Sequence, residues 1–285
     1  MKKLVMVLLD GCGDTLAREN CGFLEHMAES GQAARYSVKG QLPSMSRPLY
    51  ATLLSGLPVY RHKIVNNMVQ SGIEAETVFS LARGAGLSTA AAAYHWMYEL
   101  FCAQPFNPLK NRFALQQEGA VQNGIYYFED SYPDSHLFAD ALYLTAAFAP
   151  DFLLVHSMNI DDEGHKFGNG SKQQEMAAIK ADTLLSFAIP QWLALGYQVL
   201  VTADHGMSKN GLHGGNTAEQ RQVPLYLFGT GVKIPGPSRK PLGQLLVAPL
   251  GQLLVAPLAC RLLGLAPAAG MQSLAEREEE LFYED

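Results

Sequence analysis

Positive charge is in short supply in this 285-residue chain: 21 Lys plus Arg face 27 Asp plus Glu, a formal net charge of −6. That sign cannot hold a polyphosphate backbone by bulk electrostatics, so no nucleic acid polymer is expected as a partner. Any phosphate handled here must meet a local site. Cysteine is scarce as well, and Cys12, Cys21, Cys102 and Cys260 form no C-x-x-C pair, which argues against a disulfide framework. No apolar run approaches the ~20 residues of a membrane span, so no membrane is expected as a partner. The run at residues 4–9, after Lys2 and Lys3, stops at Asp10 and is too short for the apolar core of a signal peptide, so a cytoplasmic protein is expected. Charged residues are only 17% against 48% hydrophobic, which excludes global disorder.

What is present reads as alternating strand and helix. Residues 4–9 form a continuous apolar run without helical periodicity, as in a strand buried on both faces of a parallel sheet. The same grammar returns at 151–155 and 197–202, and each run leads into acids or histidines. Helical patterns lie between them: 74–85 closing at Gly86, 135–148 closing at Pro150, and a long one opening at Ser171. Ser171 and Gln174 make an S-x-x-Q capping box. That last helix carries Met176, Ile179, Leu184 and Phe187 on one approximate stripe, and Pro190 predicts a kink or break in it. The rhythm predicts an α/β fold, a mostly parallel central sheet with helices on both faces, in one domain over 1–285 with small insertions. The segment 94–134, with its prolines and aromatic patch at 126–128, reads either as a small lid or as an excursion packed on its own aromatics, the commoner fate of such clusters.

Near the C-terminus the octapeptide at 241–248 recurs unchanged at 249–256. Inserting eight helical residues rotates the downstream chain by roughly 80°, so two copies cannot present one face to one groove. The second copy, running into Pro257 and closing at Gly264, is expected to be the core element.

In α/β sheets ligands sit beyond the carboxyl ends of the strands. There this chain places Asp10, Asp161, His165, Asp204, His205 and His213. Singly, Asp10 in Asp-Gly is an ordinary turn residue and His213 an ordinary loop histidine. Together they are a two-metal inventory, because buried like charges raise one another's pKa unless cations neutralise them. Asp161 and His165, four apart, are expected to reach one ion from a short loop. Ser44, Ser46, Thr52 and Ser55 precede or line a helical pattern, whose N-terminus suits an anion and an activated oxygen nucleophile.

Asp10, the Pro-Ser-Met-Ser-Arg-Pro segment at 43–48 with Ser55-Gly56, Asp161-x-x-x-His165, Asp204-His205-Gly206-Met207 and His213-Gly214-Gly215 resemble the alkaline phosphatase superfamily. Within it the likeness is to the type I phosphodiesterase and nucleotide pyrophosphatase family, whose motif order runs from residue 5 to about 230; residues 62–67 resemble its segment after the nucleophile helix. The resemblance implies an alkaline phosphatase-like fold and a metal-dependent hydrolase of phosphoric esters acting on a small phosphorylated substrate. Ser46 matches the nucleophile, and two divalent ions are implied, with zinc the first choice and manganese the second. Asp10, Ser46, Asp204 and His205 would hold one ion, and Asp161, His165 and His213 the other. Ser46 would then attack phosphorus and form a covalent phospho-enzyme.

The chain departs from that pattern after Ser46. Where phosphodiesterases carry an aromatic residue and then Pro-Asn, it has Arg47, Pro48 and Leu49, so the asparagine expected to hold a phosphate oxygen is missing there. Arg47 is a second catalytic candidate, meeting the extra charge of a monoester; a surface salt bridge is the ordinary alternative. Leu49 and Tyr50 stand where sulfatases need Ser and Arg, which argues against sulfate ester chemistry. A phosphodiester or pyrophosphate is the expected substrate class. A monoester phosphatase or an inert metal-binding descendant are the alternatives.

Overall fold

Every residue from Leu4 to Leu9 is fully shielded from solvent, because this strand lies at the centre of a sheet covered on both faces. In the computed structural model, which describes residues 2–229, 231–232, 250–275 and 281, the strands are β1 (Lys3–Leu9), β2 (Ala33–Lys39), β3 (Thr89–Tyr94), β4 (Phe113–Ala114), β5 (Asn123–Tyr127), β6 (Phe152–Ser157), β7 (Tyr197–Thr202), β8 (Gln222–Phe228) and β9 (Leu250–Gly251). They form one nine-stranded sheet in the order β4-β5-β3-β6-β1-β7-β8-β2-β9. The central run β5-β3-β6-β1-β7 is parallel, while β4 and β8 enter antiparallel. The α/β, mostly parallel architecture read from the sequence is therefore the one observed.

Register places the site. Leu9 of β1 is level with Ser157 of β6, and Leu8 is level with Thr202 of β7, so three strands end together and release their following polar residues on one edge. Segment 94–134 adds the helix His95–Phe101, the edge strand β4 and its neighbour β5. Its aromatics pack on each other: Tyr98 meets Tyr126 at 5.2 Å and Phe106 at 5.6 Å, and Tyr126 and Tyr127 are buried.

Four local expectations change. The helix expected at 74–85 begins only at Val78, since Thr77 caps it in a reciprocal box with Ser80. Asp161 and His165, expected on a short loop, lie instead on the helix Asn159–Phe167 and project from one helical turn. The long helix Lys172–Ala194 continues through Pro190, where burial of Ile189 and Trp192 outweighs a proline cost of about 3 kcal/mol. Its core face is built on Ala177, Ala178, Ala181 and Ala188, small residues that let it lie close to its neighbours, with Leu185 and Trp192 buried among them, whereas Met176, Ile179 and Phe187 of the expected stripe face solvent. Of the octapeptides, the second enters the core: Leu250 pairs with Val38 of β2, and Val255 opens the buried helix Val255–Leu263, which Gly264 ends in a left-handed cap. The first copy, 241–248, lies outside the described residues.

Candidate active site

Asp10 follows β1 directly, and Gly11 turns the chain with φ +71, where a Cβ would stand 2.8 Å from the Asp161 Cα. Only glycine permits both the left-handed turn and that approach. Asp204 and His205 follow β7, Asp161 and His165 come from the helix after β6, and His213 lies on the loop beyond β7. Ser46 opens the fully buried helix Ser46–Ser55.

These residues converge. Ligand atoms of Asp10, Asp204 and His205 lie within 4.8 Å of one another, and so do those of Asp161, His205 and His213. His165 Nε2 is 3.2 Å from Asp161 Oδ2 and 3.2 Å from His213 Nε2. Ser46 Oγ is 3.1 Å from His205 Nε2, which in turn lies 3.2 Å from Asp204 Oδ2. All seven metal-ligand candidates read from the sequence thus meet at one place.

The donor set fits divalent ions. Asp10 Oδ1, Asp161 Oδ1 and Asp204 Oδ2 are buried and have no hydrogen-bond partner, although a buried carboxylate oxygen left unpaired is costly. The three histidines engage Nδ1 with backbone carbonyls, His165 with Gly211 O at 2.8 Å, His205 with Gly206 O at 3.1 Å and His213 with Ser44 O at 3.0 Å. A histidine held through Nδ1–H turns the Nε2 lone pair inward, as a metal ligand must. Burial, reinforced by neighbouring acids, pushes the carboxyls of Asp10 and Asp204 well above the usual range. Burial also keeps His205 and His213 neutral. The hydrogen bond to Asp161 raises His165 to about 9.

The loop carrying Ser46 is tied to the ligand loops. Ser44 Oγ donates to Gly215 O at 2.7 Å, and Gly214 N–H donates to Ser44 Oγ at 3.1 Å. Gln252, from the second octapeptide, is completely buried; its amide donates to Asp204 O at 2.7 Å and accepts from Gln41 N–H at 2.8 Å.

Arg47 departs from expectation. Its guanidinium is buried, paired with Glu99, donating to Val69 O at 2.6 Å and lying 4.7 Å over the Trp96 ring. It is neither a surface ion pair nor a free cation directed at the ligand cluster, because Glu99 neutralises it from the helix His95–Phe101. An asparagine does reach the start of this helix, from a different segment: Asn67 Oδ1 accepts the Arg47 N–H at 3.0 Å. Tyr50, read in the sequence only as a departure from the sulfatase pattern, donates to Asp10, and His156, which no motif included, is hydrogen-bonded to it. Tyr50 does carry a signal, since it lies one helical turn after Ser46.

The sequence model of the type I phosphodiesterase / nucleotide pyrophosphatase family matches residues 4–220. The chain belongs to this family. Those residues carry every ligand candidate and Ser46, while Gln252 lies beyond them. Among solved structures, murine ectonucleotide pyrophosphatase / phosphodiesterase 5 aligns with a TM-score of 0.76 at 14% identity, covering 99% of this chain and 100% of that one. Phosphonoacetate hydrolase from Sinorhizobium meliloti 1021 aligns with a TM-score of 0.55 at 21% identity, covering 72% and 56%. At these identities the likeness is one of fold. The catalytic subunit of human GPI ethanolamine phosphate transferase 2 is 23% identical over 84% of this chain, which spans only 24% of that relative's length.

Proposed function

We propose that this phosphodiesterase-family chain hydrolyses a small phosphodiester or pyrophosphate with Ser46 as nucleophile and two divalent ions, zinc first and manganese second. The observation that carries this reading is Ser46 Oγ, 3.1 Å from His205 Nε2 at the edge of a cluster whose three carboxylates each leave one buried oxygen unpaired. Asp10, Asp204 and His205, with Ser46, would hold one ion, and Asp161, His165 and His213 the other. When bound, the ions neutralise the carboxylates and stabilise charge on the phosphoryl group.

Ser46 Oγ forms a bond to phosphorus as the bond to the leaving alcohol or phosphate breaks, giving a phosphoserine. Water then cleaves that phosphoserine and restores the hydroxyl. The N-terminus of the helix Ser46–Ser55 favours the added negative charge. Asn67, its carbonyl occupied by the Arg47 N–H, has an amide NH2 to donate to a phosphoryl oxygen. His165, with its side chain 43% exposed, lies on the solvent side, where substrate enters. Because Glu99 already pairs with Arg47, that guanidinium is not free to meet the second charge of a monoester, and the diester reading is favoured.

The test is turnover of bis-p-nitrophenyl phosphate and p-nitrophenyl phosphate with zinc or manganese, alongside Ser46→Ala and Asp204→Asn. We expect metal-dependent diester cleavage, lost in Ser46→Ala, and loss of one bound ion with nearly all turnover in Asp204→Asn. Monoester cleavage alone would change the substrate class. No cleavage of either ester would favour the inert descendant, and an unchanged rate in Ser46→Ala would remove the nucleophile.

A further inference from the structure

We infer that Tyr50 and His156 are positioning residues for Asp10, holding one of its oxygens so that the other is presented to the ion beside Ser46. The inference rests on the two-ion reading above. Asp10 is completely buried, and its two oxygens are treated differently. Oδ2 receives the Tyr50 hydroxyl and, at 3.1 Å, His156 Nε2. Oδ1 has no hydrogen-bond partner and faces His205 Nε2 at 3.5 Å.

A carboxylate with both oxygens free can rotate, bind an ion through two oxygens, or turn away from it. Two donors on Oδ2 remove that freedom and leave a single-oxygen ligand with a fixed direction. Once an ion holds Asp10 ionised, the carboxylate only accepts, and His156 then donates as the Nε2–H tautomer. Its ring stands edge-on to Tyr50, with centroids 4.7 Å apart at 71°, so each donor also fixes the other's orientation.

The origin of the two donors matters. His156 sits on β6, opposite Leu8 of β1, one strand away from the carboxylate it holds. Tyr50 lies one turn after Ser46, on the same face of one rigid buried helix. The face that presents the hydroxyl therefore also grips the carboxylate that would bind the ion next to that hydroxyl, and their spacing is set by a single helical turn. A core that needed only volume here would be served by Phe and Leu, with no buried donor to satisfy.

The experiment measures zinc affinity and stoichiometry by competition with a chromophoric chelator on the full chain, with folding checked by circular dichroism and thermal melting. Tyr50→Phe and His156→Leu each remove one donor, and His156→Gln retains an N–H near the Nε2 position. We expect the wild type to bind two ions. Each donor deletion should weaken one of them by ~10–100-fold and leave the other unchanged, while His156→Gln stays near wild type. Tyr50→Phe keeps the ring, so it carries the test if His156→Leu does not fold. Unchanged affinity in Tyr50→Phe, or equal loss at both ions, overturns the positioning role alone. A wild type that binds no divalent ion overturns both this inference and the reading beneath it.

Discussion

The Nε2 atoms of His165 and His213 face each other 3.2 Å apart, with both Nδ1 atoms held by backbone carbonyls. Two imidazole lone pairs repel at that distance, so a proton or a cation must lie with them. In the metal-free chain a proton fills the role, because Asp161 raises His165 to about 9.

Metal must displace that proton. Zinc uptake at pH 7 should release about one proton at this ion, and apparent affinity should fall about tenfold per pH unit below 9 and level off above it. Calorimetry in buffers of different ionisation enthalpy reads the proton directly; zinc binding with no buffer dependence would remove His165 from the ligand set.

Arg47 and Glu99 form a buried pair, so removing one partner strands a charge. Glu99→Gln should destabilise the fold by about 3–5 kcal/mol. Arg47→Ala should lower diester and monoester turnover by the same factor, since its guanidinium is already engaged. A selective loss of monoester turnover would restore a phosphate-binding role for Arg47.

His62 is buried between Thr52 Oγ1, at 3.0 Å, and the Ile64 N–H, at 3.1 Å, and burial lowers it from 6.5 to about 4. The unfolded chain therefore takes up a proton near pH 6.5 and the native chain only near 4, so stability is full above 6.5 and lost as pH falls toward 4. The loss is on the order of 3 kcal/mol. Urea midpoints measured with chelator present should fall less steeply with acid in His62→Gln than in the wild type; parallel curves would contradict this.

Deleting 241–248 or 249–256 produces the same chain, because the octapeptides are identical. Only one glutamine is needed between Asp204 O and Gln41 N–H. The shortened protein should remain soluble with a melting temperature near that of the full chain, whereas Gln252→Ala in that shortened chain, at the surviving glutamine, should lower it. Insoluble shortened protein would mean that the slot requires both copies.

The strands and the convergence of the candidate residues on one edge were legible in the sequence because each depends on short-range pattern. An apolar run such as 4–9 can be satisfied only by burial on both faces, and a polar residue just beyond it falls on the sheet's carboxyl edge whatever the rest of the chain does. The stripe at 176–187 shows the limit of that reasoning. Helical spacing put Met176 and Phe187 on one face, but close packing chose the alanine face for the core.

By itself, then, the sequence determined that Asp10, Asp204 and the residues after β6 would share one edge, since strand direction and apolar burial are local properties. Only the tertiary structure decided that Arg47 pairs with Glu99, that Asn67 reaches the helix N-terminus, and that Tyr50 and His156 are hydrogen-bonded to Asp10. Which group neutralises or orients a buried charge is settled by whichever chemically suitable partner packing brings within about 3 Å, and that distance is unrelated to separation along the chain.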